Sequence, residues 1–242
     1  MKAQNKMSSA KNKTQKKRKP TILVSSTVYG IEELLDRIYT LLTPNYDVWM
    51  SHKGTIPVRS DRTTFKDCLT AVEKCDLFLG IITPHYGSGR DPDDPKGPST
   101  THQEITRAIE LKKPRWILAH DHVVFARSLL NNLKFKGKTW RGQRCFKGRR
   151  NRHRLLSLEK NPILDDLRVL DLYEEAIIEV DKTSSKKTPL KDRKGNWVQK
   201  FRTTDDASTF VVFQFFRYQE VEEFIRENII NNPSLLKNGG EP

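Results

Sequence analysis

The chain has 242 residues, of which 36% are apolar and 31% charged, and its formal net charge at pH 7 is +14. This length is enough for one large α/β domain or for a domain with an appendage. No apolar run approaches the roughly 18–20 residues that a membrane span needs, and the N-terminus lacks the apolar core of a signal peptide. We therefore expect a cytoplasmic protein without membrane contact.

The positive charge is concentrated in two tracts. Residues 1–20 carry eight Lys or Arg and no acid, and residues 134–154 carry ten and no acid. The two tracts together contribute more positive charge than the net charge of +14, so the remaining residues carry a small net negative charge. Because residues 1–20 are also poor in apolar side chains, we expect a disordered basic tail there. A second flexible tail is expected at residues 231–242.

Apolar runs alternate with helical spacings along the first 120 residues. Short apolar runs predict strands at residues 21–25, 46–50, 76–82 and 115–119. Apolar residues that recur every three or four positions predict helices at about 31–42 and 63–74, and a third helix runs from about Thr101 to Pro114. The run at 76–82 is almost continuously apolar, which is typical of a central parallel strand. We expect a flavodoxin-like or TIR-like three-layer α/β domain with a parallel sheet.

Beyond residue 122 the pattern weakens. It predicts helices at 123–133, 164–180 and 218–229, strands at 197–202 and 209–216, and a loop or hairpin tip at 182–196. The expected organisation is therefore a TIR-like α/β domain at 21–133 and a basic insertion at 134–154. Residues 155–230 would be the C-terminal part of the same domain, as an α+β extension.

The basic insertion interleaves aromatic side chains with cations, and its three glycines argue against a long helix. This composition is typical of a surface that neutralises phosphates and stacks on bases. The residues expected to contact nucleic acid or another polyanion are Lys138, Trp140, Arg141, Arg144, Arg149, Arg150, Arg152 and Arg154. The alternative is a solvated loop whose aromatic residues attach it to the domain.

Several chemistries are not expected. The three cysteines show no metal-ligand spacing, and the six histidines are scattered, so we expect no metal site. Cys68 and Cys75 fall on one predicted helix, where packing is their expected use. No Gly-x-Gly-x-x-Gly follows the first strand and no P-loop is present, which argues against a Rossmann redox enzyme. We expect no bound cofactor.

Candidate ligand-binding residues follow two predicted strands. The first strand ends at Ser25, Ser26 and Thr27, whose hydroxyls can bond ribose or phosphate oxygens. The alternative is that they cap the next helix. The third strand leads into Tyr86, the best candidate to stack on a base or nicotinamide ring. The loop that follows includes Gly87, Arg90 and Ser99, and its composition suits a lid over a cleft, although a purely structural loop is the alternative.

Glu104 lies in the first turns of the third predicted helix. Because this helix leads into an apolar strand, its start lies at the carboxyl edge of the sheet, where open α/β sheets bind ligands. The alternative is that Glu104 only complements the helix dipole.

These residues resemble three related groups of proteins. Glu104, Ala108, Lys113 and Pro114 resemble the Glu-x3-Ala-x4-Lys-Pro run of nucleoside 2-deoxyribosyltransferases. The string from His102 to Ile105, with Ala108, is similar to the catalytic-glutamate helix of Toll/interleukin-receptor (TIR) domains that cleave NAD. The strongest resemblance is to a TIR-like family of unknown function, found alone in bacteria or ahead of NACHT ATPase modules. It is carried by Val24 to Thr27, Glu32, Glu33, Tyr86, Gly87, Ser99 and Glu104.

The resemblance implies a catalytic role for Glu104 at the ribosyl C1′ during N-glycosidic cleavage. One carboxylate can stabilise or trap the oxocarbenium-like state, and a cationic nicotinamide leaves without protonation. We therefore expect an effector whose substrate is NAD or a related nucleotide, used for example in anti-phage defence. The alternative is a non-catalytic TIR-like interaction module that binds a protein partner or a second copy, and polyanions. A Glu104 carboxylate in an ion pair, or one that points at solvent, would favour the module.

If the insertion binds nucleic acid, its affinity should fall steeply with salt, because each neutralised phosphate releases counterions. Replacing Arg149, Arg150, Arg152 and Arg154 by Ser should flatten the dependence of log K on log salt. Trp140→Ala should weaken single-strand binding by roughly 1–3 kcal/mol with little change in slope. A gel-shift titration at low salt that shows no binding to DNA or RNA would reduce the insertion to a solvated loop.

Overall fold

A computed structural model describes residues 18–135, 143–147, 153–157, 163–178 and 198–217 of the chain. Of the predicted closing helix at 218–229, only Glu220, Glu223 and Glu227 are described, and all three are helical. Residues 1–17 of the predicted tail at 1–20, the predicted tail at 231–242 and the predicted loop at 182–196 lie outside the described residues. Residues 18–20 contact the domain, since Lys19 donates to the carbonyl of Thr43 and the Asp47 N–H donates to the carbonyl of Pro20. No described helix is long and apolar enough to cross a membrane.

Seven strands and six α-helices occur in the described residues. The strands are β1 (Thr21–Ser26), β2 (Asp47–Met50), β3 (Leu77–Ile82), β4 (Arg115–His120), β5 (Gln143–Lys147), β6 (His153–Ser157) and β7 (Val198–Phe201). The helices are α1 (Glu32–Leu42), α2 (Thr64–Lys74), α3 (Thr100–Glu110), α4 (Asp121–Asn132), α5 (Arg168–Ile178) and α6 (Thr204–Phe215).

Five strands form one all-parallel sheet in the order β2-β1-β3-β4-β7, with β3 at its centre. This is the flavodoxin-like order, so the predicted fold class and the central place of the 76–82 run are confirmed. Because successive strand residues point to opposite faces, β3 supplies both cores. Phe78 and Ile82 pack toward α2, α3 and α5, whereas Leu77, Leu79 and Ile81 pack toward α1 and α6.

The C-terminal region completes the main sheet. The predicted strand at 197–202 is confirmed as β7, which pairs with β4 as the fifth parallel strand. The predicted strand at 209–216 is wrong, because residues 209–215 lie within α6 and Phe216 is its C-cap. Its Phe and Val residues resemble a strand in composition, but Thr203 and Asp206 form a capping box that begins a helix. Ala207, Val211 and Phe215 then bury one side of α6 at helical spacing.

The basic insertion contains a separate two-stranded antiparallel sheet. β5 pairs with β6 from Gln143↔Ser157 to Lys147↔His153. Arg144 lies on β5 and Arg154 on β6, while Lys138, Trp140, Arg141, Arg149, Arg150 and Arg152 fall outside the described residues. Polyanion binding by the basic insertion at 134–154 stays a prediction.

Gly80 allows α3 to approach the centre of the sheet closely. It is the neighbour of Ser25 across β1 and β3. A Cβ at this position would lie 2.8 Å from Cδ1 of Ile117 and 3.3 Å from Cδ1 of Ile105 on α3. A larger residue would therefore push α3 away from the sheet.

Gly80→Ala should destabilise the protein by about 1–3 kcal/mol, because the added methyl overpacks the core. The cost should shrink in an Ile117→Val background, since that change removes the nearest contacting carbon. Chemical denaturation of the four proteins of this double-mutant cycle measures the coupling. An equal cost of Gly80→Ala in both backgrounds would contradict crowding against Ile117.

Candidate active site at the carboxyl edge of the sheet

A cavity of about 490 Å³ opens at the carboxyl ends of β1 and β3. β2 lies on one side of β1 and β3 lies on the other, so the chain changes direction across the sheet between these strands. The cavity therefore lies at the switch point, where such sheets bind ligands. Its volume falls within the ~300–1,000 Å³ range of small-molecule sites. Its lining residues are Ser26, Thr27, Val28, Tyr29, Ser51, His52, Cys68, Gly87, Ser88, Gly89, Ser99, Thr100, Thr101 and Glu104.

Glu104 lines this cavity with a side chain that is almost fully enclosed, since the residue is only 5% exposed. The Ser25 hydroxyl donates a hydrogen bond of 2.5 Å to Oε2 of Glu104. Cys68 on α2 lines the same cavity, and its neutral thiol interacts with the carboxylate. Among the described residues, no Lys, Arg or His forms an ion pair with this carboxylate. Glu104 is therefore a buried acid held by two neutral groups.

Burial raises the pKa of Glu104 from 4.5 to about 7, although the hydrogen bonds from Ser25 and Cys68 act in the opposite direction. Burial and the adjacent Glu104 raise the pKa of the Cys68 thiol to about 12. Cys68 is thus a protonated donor at neutral pH, while Glu104 can gain or lose a proton there. A carboxyl group of this kind suits acid–base chemistry or the stabilisation of a cation.

The three polar residues at the end of β1 line the cavity or bind Glu104, and they do not cap α1. The N-cap of α1 is Ile31, which makes no side-chain capping bond. Ser26 and Thr27 line the cavity, whereas Ser25 is buried and holds Glu104. Of the two interpretations of this segment, the structure therefore favours a ligand-facing role over helix capping.

Tyr86, the residue predicted to stack on a ligand, has a buried ring that is not among the residues that line the cavity. The residue is 2% exposed, and the guanidinium carbons of Arg90 and Arg168 lie 5.1 and 4.7 Å from the centre of its ring. Its hydroxyl lies 2.6 Å from Nδ1 of His102 on α3. Tyr86 instead fixes the start of the helix that carries Glu104.

The other residues predicted in the β3–α3 loop have mainly structural contacts. Arg90 does not line the cavity and donates to the carbonyls of Gly87 and Gly89. Ser99 lines the cavity, but its hydroxyl is the N-cap of α3 and accepts from the His102 N–H. Gly87 has φ +83°, a conformation that other residues rarely adopt. A Cβ at this position would also lie only 3.0 Å from Oγ1 of Thr27, so glycine is required here.

The far end of this loop is also held in place. Arg168, which pairs with Asp166 at 2.6 Å, donates to the carbonyl of Gly97 at 3.2 Å. The loop therefore supplies a wall of the cavity through Gly87–Gly89 and is attached to the start of α5 through Arg168. This attachment favours the structural interpretation of the loop over the lid.

Sequence reasoning missed part of the lining. Ser51 and His52 follow β2, so the rule that places polar residues at strand ends could have found them. Cys68 was interpreted as a packing residue, and its position beside Glu104 arises only when α2 and α3 come together. Thr100 and Thr101 precede Glu104 within the first turn of α3.

The fold is that of a flavodoxin-like α/β protein with a ligand-sized cavity at the switch point. Residues 21–143, about half of the chain, match a family described as "Domain of unknown function (DUF4062)". The chain belongs to this family. No curated protein matches the chain.

The raised pKa of Glu104 predicts a stability difference that depends on pH. The folded protein holds this proton up to about pH 7, whereas the unfolded chain loses it near pH 4.5. The free energy of unfolding should thus fall by about 3 kcal/mol as pH rises between these values. Glu104→Gln lacks this loss, so it should match wild type below pH 4.5 and exceed its stability by up to about 3 kcal/mol above pH 7.

Urea denaturation at several pH values measures this difference. Glu110→Gln is the matched control, because it removes an exposed carboxylate from the same helix whose surface ion pair contributes little. A Glu104→Gln variant whose stability follows that of wild type at every pH would contradict the buried, uncompensated carboxylate.

Proposed function

We propose that the protein cleaves the N-glycosidic bond of NAD or a related nucleotide, with Glu104 as the catalytic residue. The observation that carries the proposal is the enclosed Glu104 carboxylate, which lines a ligand-sized cavity at the switch point without a cationic partner in the described chain. The resemblance of the α3 segment to the catalytic-glutamate helix of NAD-cleaving TIR domains supplies the reaction class. A TIR-like relationship of the whole domain is part of the same proposal.

The chemistry needs one carboxylate near the ribosyl C1′. As the bond from C1′ to the nicotinamide nitrogen breaks, its electron pair neutralises the pyridinium ring, which departs as neutral nicotinamide. The positive charge develops on the ribose as an oxocarbenium-like state, which Glu104 stabilises or traps as an ester. Water then attacks C1′ and completes the hydrolysis. Ser25 positions the carboxylate by holding Oε2.

Because the pKa of Glu104 is about 7, the charge of a bound substrate can change its ionisation state. At about pH 7 the empty site holds a mixture of neutral and charged carboxyl groups. A bound pyridinium cation favours the charged form, because opposite charges a few ångströms apart lower the pKa of an acid. A cationic substrate therefore generates the carboxylate that its own cleavage requires, whereas a neutral nucleoside does not.

The polar groups around Glu104 suit a ribosyl ligand. Ser26, Thr27 and Thr101, which carry hydroxyl groups, line the cavity, and the segment Gly87–Gly89 lines it without bulky side chains. Together they offer hydrogen bonds to ribose hydroxyls or phosphate oxygens. No separate cofactor is needed for this reaction, because the nucleotide is the substrate.

The proposed setting is the cytoplasm, with an inducible effector role such as anti-phage defence. Cys68 and Cys75 are buried free thiols, which suits a reducing compartment. The non-catalytic module is the second hypothesis, and binding of polyanions, protein partners or a second copy stays open under both. The placement of Glu104, neither ion-paired in the described residues nor directed at solvent, favours catalysis over the module.

Purified protein should release nicotinamide from NAD or NADP, measured by chromatography with and without added polyanion. Glu104→Gln should reduce the rate by at least about a thousandfold, because it removes the only proposed catalytic group, while the Glu110→Gln control should keep wild-type activity. Ser25→Ala should reduce kcat through poorer positioning, by about 10–100-fold. Deoxynucleosides serve as neutral substrates and should react more slowly.

Two outcomes would contradict the proposal. One is full activity in Glu104→Gln. The other is the absence of cleavage of any of these substrates by wild type under every condition, which would leave the interaction module as the better hypothesis.

A further inference from the structure

A second cavity, of about 330 Å³, opens beside the carboxyl ends of β4 and β7. Its walls come from the start of α1 and from the residues around the start of α6, and His120 lies on its surface. His120 ends β4, and Asp121 and His122 begin α4. The ligand atoms of these three residues all lie within 4.8 Å of one another, an arrangement that the proposed cleavage of nucleotides does not use.

The separations of these atoms are close to those around a bound metal ion. Nδ1 of His120 lies 3.2 Å from Oδ1 of Asp121, and Nε2 of His122 lies 3.9 Å from the same oxygen. In a tetrahedral site with bonds of about 2.0–2.2 Å, neighbouring ligand atoms are about 3.3–3.6 Å apart. Small side-chain rotations would bring the three atoms to one ion.

Asp121 provides an independent observation. Its Oδ1 atom is buried and accepts no hydrogen bond in the described part of the chain, although the residue as a whole is half-buried. Its other oxygen, Oδ2, faces Arg202 at 3.8 Å. A buried carboxylate oxygen without a donor is costly, and a cation placed between the two imidazoles would satisfy it.

We infer that His120, Asp121 and His122 bind a transition-metal dication of the Zn²⁺ type. Two imidazole nitrogens and one carboxylate oxygen form a ligand set that suits such ions. These three ligands leave a fourth coordination position for water or a small ligand, and His120 places the ion beside the second cavity. This site involves none of the residues around Glu104, so neither proposal depends on the other.

Helix capping is the competing explanation for His120. Its Nδ1 accepts a hydrogen bond of 3.2 Å from the His122 N–H as the N-cap of α4. Metal binding at Nδ1 replaces this long bond with a stronger interaction. From the sequence, no metal site is expected because the histidines are scattered. His120 and His122 are nevertheless separated by one residue, and that residue, Asp121, carries a carboxylate.

The test uses the full-length, tag-free protein, stripped with a chelator and dialysed against Zn²⁺ or Co²⁺. One equivalent of metal should remain bound, and Co²⁺ should give visible absorption bands of low-symmetry coordination. His122→Ala and Asp121→Asn should each lower the affinity at least about tenfold. His122→Ala keeps the main-chain N–H of the α4 cap. His52→Ala, which removes an imidazole paired with Asp36 elsewhere, is the control and should retain the metal.

Thermal denaturation gives a second readout. Zn²⁺ should raise the melting temperature of wild type and of His52→Ala, and should leave that of Asp121→Asn unchanged, because only the folded protein with an intact site binds. Less than one equivalent in wild type, or equal losses in His122→Ala and His52→Ala, would overturn the proposal and leave the cluster as a helix cap.

Discussion

One buried hydrogen bond organises the site, the 2.5 Å contact between the Ser25 hydroxyl and the Glu104 carboxylate. It joins the end of β1 to the first turns of α3, which lie 79 residues apart in the sequence. Gly80, the cross-strand neighbour of Ser25, leaves the space that lets α3 come this close to the sheet. Ser99 and the Tyr86–His102 contact then fix the start of the helix. The central sheet therefore determines where one carboxylate stands.

The burial of this carboxylate makes sense as a functional feature more readily than as a structural one. A core position gains nothing from an acid whose charged form loses its hydration, and a neutral residue of similar shape would be more stable there. The energetic cost is concentrated at a cavity of ligand size, where such perturbed acids are commonly functional. A cationic substrate would offset part of that cost when it binds. At Glu104 the charged carboxylate that the proposed activity requires therefore lowers the stability of the folded protein.

The sequence correctly predicted those strands and helices in which the spacing of the apolar residues matches the face that the structure buries. The apolar run of β3 and the segment from Glu104 to Pro114 are examples, since each has a pattern that only one element satisfies. α6 was mistaken for a strand because its run of Val and Phe outweighed the capping box at Thr203 and Asp206. Tyr86 and Cys68 could not be assigned from sequence, because their surroundings come from Arg168 and Glu104, far away in the chain. The strand ends marked the site, but tertiary packing decided which side chains face it.

Glu104, the buried acid proposed to receive a cationic ligand, should titrate near neutral pH. The direct measurement is a ¹³C NMR titration of the side-chain carboxyl carbons of labelled glutamate, with Glu104 assigned by its absence in Glu104→Gln. We expect a resonance that titrates near pH 7 in the free protein and shifts to lower pH when a carbocyclic analogue of NAD is bound, which carries the pyridinium cation but lacks the cleavable N-glycosidic bond. A Glu104 resonance that titrates near pH 4.5 and does not respond to this analogue would contradict the account.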